Sequence, residues 1–118
     1  MIHKVIIPLY CEEIAPRFDL ASETFIATIS RNKVEEKRYM VLKRPSAEDL
    51  CHFILTENIN TLICNAIDDE YYHFLKWKKI MILDNVAGAF TDAFDNYLNN
   101  SLKRGDILCP RTIEGENV

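Results

Sequence analysis

The chain has 118 residues, 48% of them apolar and 27% charged, with a net charge of −4. That length suits one domain, large enough to bury about two-thirds of its unfolded surface and to fold without a disulfide or structural metal. The acidic balance (pI near 5.3) lacks the basic surface that nucleic-acid phosphates require, and no apolar run approaches the ~20 residues of a membrane span.

In chain order, Val5-Ile6-Ile7-Pro8-Leu9 is a continuous apolar run, too short for a helix, of the kind found in strands covered on both faces. The start of the chain shows no secretory leader, so a cytoplasmic protein with reduced thiols is expected. A long loop over 10–19 follows. Thr24 to Ser30 and Val34 to Leu42 are rich in β-formers and flank the polar turn Arg31-Asn32-Lys33, the pattern of a hairpin. Glu35, Glu36, Lys37 and Arg38 on its second arm suit a charged edge strand.

Ala47, Leu50, Cys51 and Ile54 then follow the spacing of one helix face, with Ser46 as its N-cap. Leu62-Ile63-Cys64 is the next strand. Ile67, Tyr71, Phe74 and Leu75 make a second helical stripe, opened by Asp68 and Asp69. Ile80 to Leu83 is the last strand, and Phe90, Ala93, Phe94, Tyr97 and Leu98 form a third stripe closed by Lys103-Arg104-Gly105. The order β-β-β-α-β-α-β-α, with right-handed crossovers, places the strands as 3-2-1-4-5 with the second antiparallel to the rest. This is an α/β, ribonuclease-H-like three-layer fold with a mixed five-stranded sheet and three helices. Residues 1–104 form the domain and 105–118 a C-terminal tail.

Ligands of open α/β sheets bind beyond the carboxyl ends of the parallel strands. The sequence puts three segments there: Tyr10 to Asp19, Cys64 to Asp68, and Asp84 to Gly88. Cys11 and Cys64 fall on one rim, where two thiolates suit a soft metal or an iron–sulfur unit, and Arg17 can balance its negative charge. A plainer reading stands beside this one. Cys64 ends an apolar strand and is equally a small buried hydrophobe, and Arg17 with Asp19 forms a loop salt bridge. Cys51 reads as core, and Cys109, before Pro110, as a spare thiol. The four cysteines contain no CxxC pair, and His3, His52 and His73 have no ligand spacing. No phosphate loop or nucleophile elbow is present, and the first strand lacks the carboxylate of a two-metal nuclease. No enzyme is expected.

The chain resembles the dinitrogenase iron–molybdenum cofactor biosynthesis family. The matching pieces are Val5 to Leu9 with Ala15-Pro16-Arg17-Phe18-Asp19, Leu62 to Ile67, Ile80 to Leu83, and Val86-Ala87-Gly88 with the helix to Leu98. Cys64-Asn65-Ala66 replaces the glycines that the family places after the fourth strand. The resemblance implies a carrier for an anionic iron–sulfur or iron–molybdenum type cluster or its precursor. Cys11 and Cys64 would bind the metal, and Arg17, Asp19, Asn65 and Gly88 would contact the cofactor. It also implies a donor or acceptor protein as partner, and a monomer or weak dimer. The alternative is a protein-interaction or regulatory module that uses the fold without a cofactor.

Overall fold

In this computed structural model the described residues are 2–99, 102 and 105. Cys109 and the tail beyond Gly105 lie outside them. The elements are β1 (Ile2–Tyr10), β2 (Glu13–Ile14), β3 (Glu23–Ser30), β4 (Lys33–Val41), α1 (Ala47–Thr56), β5 (Thr61–Ile63), α2 (Asp69–Trp77), β6 (Met81–Leu83) and α3 (Phe90–Leu98), with a 3-10 turn over Phe18–Leu20. Together they make an α/β fold with a mixed open sheet and three helices. The path across the sheet is β4-β3-β1-β5-β6. β1 pairs antiparallel with β3 and parallel with β5, and β5 pairs parallel with β6.

β2 is a sixth strand that the sequence pattern does not announce. It is only two residues long and pairs antiparallel with the end of β1. β1 therefore changes partner along one edge, from β5 at Val5 and Ile6 to β2 at Leu9 and Tyr10. Pro8 sits at the changeover. Its carbonyl accepts from the Ala15 N–H (3.0 Å), so its nitrogen faces the same edge, at the gap between the two ladders. That is how a proline is accommodated inside a central strand.

β1 carries the core on both faces: Val5, Ile6, Ile7 and Leu9 are each at most 1% exposed. Its odd-numbered residues join Phe25, Ile63, Phe90, Ala93 and Phe94 under α3. Its even-numbered Ile6 joins Phe18, Ile26, Leu62 and the buried faces of α1 and α2. Phe25 anchors the first face, with the rings of Phe90 and Phe94 each 5.1 Å away.

α1 buries all four residues of its stripe, and the Ser46 hydroxyl accepts from the Asp49 N–H as its N-cap (3.2 Å). α2 buries only Leu75, while Phe74 is 39% exposed. Its stripe is wider than the surface it covers. α3 ends at Leu98 with Asn99 as C-cap, earlier than the expected close at Lys103-Arg104-Gly105. β4 is exposed along nearly its whole length and bears a register shift against β3 at Thr28/Ile29, both devices that blunt an edge. No helix among the described residues is long and apolar enough to cross a membrane.

Candidate functional site

The carboxyl ends of β1, β5 and β6 form one rim, built from three loops stitched together by backbone hydrogen bonds. The Phe18 N–H donates to the Ala66 carbonyl (2.8 Å) and the Ala66 N–H to Pro16 (3.1 Å), tying the loop before β3 to the loop after β5. The Val86 N–H donates to Cys64 and the Asn85 N–H to Asn65, tying that loop to the one after β6. The Ile14 N–H donates to the Gly88 carbonyl (3.0 Å), so β2 closes the ring. Gly88 takes φ 121° at this junction, a conformation that side chains disfavour.

Segment 10–19 is therefore not a long loop. Leu9 faces Ile14 and Tyr10 faces Glu13, which leaves Cys11 and Glu12 as a two-residue hairpin turn. Both turn residues are left-handed, with φ 53° and 66°. Such turns favour Asn-Gly, and each non-glycine residue held there costs about 1–2 kcal/mol. Strain of this kind concentrates at functional positions. The turn holds the Cys11 thiol in solvent at the top of the rim.

Cys64 is placed differently from the expected second thiolate. It is 1% exposed and packs in the core cluster under α1 and α2. Burial, reinforced by the nearby Asp84 carboxylate, pushes its thiol well above the usual range, so the protonated form is favoured. Cys51 is also buried, and its thiol is pushed up to about 11 by desolvation and then by Glu48. The rim thus presents one accessible thiol among the described cysteines. Among the described residues, no group of three or more His, Cys, Asp or Glu side chains is placed to hold a metal ion. A two-thiolate site does not fit this arrangement; a single thiolate contact at Cys11 does.

Arg17 lies on the rim but is forked onto Asp19, Nε to Oδ1 at 3.1 Å and a terminal nitrogen to Oδ2 at 2.7 Å. The loop salt bridge is formed, and most of the guanidinium's charge is matched locally. Asn65 and Gly88 are half-buried on the rim. Asp84 opens the third rim segment, and its sequence pattern assigns it no role. It is 7% exposed at the end of β6, within reach of the Asn85 amide (3.4 Å). Its signal was an acid directly after the apolar run Ile80 to Leu83. With Glu12, Glu13, Asp19, Asp68 and Asp84 against Arg17, the rim is acidic.

No protein-family model matches the chain, nor does any curated protein. Solved structures do. The crystal structure of PH0822 superposes with a TM-score of 0.77 at 16% identity, covering 86% of this chain and 93% of that one. A protein of Methanocaldococcus jannaschii provisionally named a dinitrogenase superposes at 0.72 with 23% identity, over 88% of this chain and 95% of its own. Its solution structure aligns at 0.69 with 25% identity, over 86% and 92%. A Thermotoga protein provisionally named NifB superposes at 0.67 with 13% identity, over 92% and 97%. The likeness is one of fold, and it spans nearly the whole of each chain.

Proposed function

We propose that this chain is a non-catalytic binding or carrier protein, on a ribonuclease-H-like fold, for a metal–sulfur cluster or its precursor. It would receive the cargo from a donor protein or pass it to an acceptor. The observation that carries this reading is the Cys11 thiol, held in solvent on a strained two-residue turn at the rim where open α/β sheets bind ligands. The cargo class is supported by the fold shared with proteins provisionally named dinitrogenase and NifB. In this reading Cys11 supplies the one direct thiolate, and Cys64 packs the floor beneath it. The backbone around Asn65 and Gly88 lines the seat, and Arg17 contributes what charge Asp19 leaves.

A second reading is favoured by a specific observation. The Arg17–Asp19 fork and the surrounding carboxylates leave little unmatched positive charge for an anionic cargo. A rim of that kind suits a protein-interaction module that carries no cofactor.

Anaerobic reconstitution with iron and sulfide, followed by metal analysis and an absorption spectrum, separates the two. Wild type is expected to load, and Cys11→Ser to lose most of its loading with its melting temperature unchanged, because an exposed turn residue packs against little. Asp19→Asn frees the guanidinium and removes a negative charge, so it should tighten cargo binding by about 1 kcal/mol, roughly fivefold. Equal loading by wild type and a Cys11→Ser/Cys64→Ala double variant would remove the thiolate, and failure of the wild type to load would leave the interaction module in front.

A further inference from the structure

The amino-terminal end of the parallel strands, opposite the rim, carries a feature that the cargo reading does not use. A groove of about 860 Å³ opens there on the α3 side of the sheet, lined by the start of β1, the β3–β4 turn, Asn60, Met81 and the end of α3. At its base three side chains from three distant segments converge. His3 Nε2 lies 2.9 Å from the Thr61 hydroxyl and 2.7 Å from the Tyr97 hydroxyl, and the two hydroxyls are 3.3 Å apart. The His3 and Tyr97 rings stack at 6.2 Å between centroids. Burial favours the neutral imidazole, so the base of the groove offers hydrogen-bonding groups without charge.

The walls are of another character. Ile2, Met81 and Leu98 are 61%, 57% and 38% exposed, an unusual share of apolar surface around one opening. Arg31 at its mouth is the only charged residue among the described lining, which includes no carboxylate although the chain is acidic overall. Arg31 sits in the two-residue β3–β4 turn and, among the described residues, has no ion-pair partner. Apolar walls, a few convergent polar groups and one unmatched guanidinium form the usual make-up of a small-molecule site of this size. The guanidinium fork matches a carboxylate.

We infer that this groove binds a small carboxylate with an apolar body, its carboxylate on Arg31, its chain or ring against Ile2, Met81 and Leu98, and its inner end over the His3–Tyr97–Thr61 cluster. The site is separate from the rim and does not depend on any cargo being bound there.

Titration of the ¹⁵N-labelled full chain with octanoate tests this, with acetate and 1-octanol as the charge-only and body-only controls. Octanoate is expected to saturate below about 1 mM. It should shift the amides of Ile2, Ile29 to Asn32, Asn60, Met81 and Leu98 and leave 10–19 and 64–68 in place. Neither control should saturate in that range. Arg31→Asn removes the charge with a residue that tolerates the left-handed turn, and should weaken octanoate at least fivefold with melting unchanged. Met81→Asp, on the opposite wall, should do the same through an independent contact. Absence of saturable binding, octanol binding as tightly as octanoate, indifference to both substitutions, or shifts confined to the rim would each overturn the assignment.

Discussion

Cys11 and Cys64 are the same residue type, near each other in the topology, and their surroundings give them opposite chemistry. Cys11 stands on a turn in solvent, while Cys64 is enclosed by an apolar cluster with the Asp84 carboxylate nearby. The fold raises the Cys64 thiol, so its contribution to stability is fully present below the unfolded value near 9 and is lost as pH rises beyond it, because only the unfolded chain then gains by ionising. Wild type should lose melting temperature steeply above that pH, and Cys64→Val should show a shallower alkaline limb. Equal slopes in thermal melts between pH 8 and pH 10.5, a window that brackets the free-thiol value, would contradict the buried-thiol assignment. In the sequence Cys64 carries both a ligand and a core reading, the core reading ahead. Its neighbours in the strand marked an apolar environment, but the cover that excludes solvent comes from α1, α2 and β6, which the local pattern does not reveal.

At the level of elements, the β1–β2 hairpin departs most from expectation. A turn of Cys and Glu carries none of the glycine or asparagine that marks such a hairpin, and two residues are too few to show alternation. The β3–β4 turn, with Asn32 in place, was legible for the converse reason. Because Glu12 holds φ 66°, Glu12→Gly should relieve left-handed strain of about 1–2 kcal/mol against a chain-entropy cost of about 0.5–1. A net gain of about 0.5–1 kcal/mol in denaturant melts is expected. A loss would mean that the Glu12 side chain itself holds the turn. The helices were more readable. α1 buries its whole stripe in a cluster with Ile6, Ile26 and Leu62 of the sheet and Phe18 of the 3-10 turn, whereas α2 buries Leu75 and leaves Phe74 half in solvent.

Across the whole molecule, β1 is the element on which both core layers rest. Ile6 is fully buried between the ladders to β3 and β5, facing α1 and α2. Ile6→Ala should therefore cost about 2–5 kcal/mol in chemical denaturation, with the cavity left open because both neighbouring strands are held in register. A loss under about 1 kcal/mol would be too small for a close-packed central strand. The sequence by itself determined the alternation of strands and helices, the apolar faces, the charged edge strand and the lack of any recognisable catalytic motif. Those are properties of composition and period within a few neighbouring residues. The tertiary structure alone decided which cysteine is open, that β2 closes the rim through Gly88, and that His3, Thr61 and Tyr97 meet under a groove. Each of these depends on contact between segments far apart in the chain, and accessibility is set by what covers a residue, which its own neighbours in sequence do not encode.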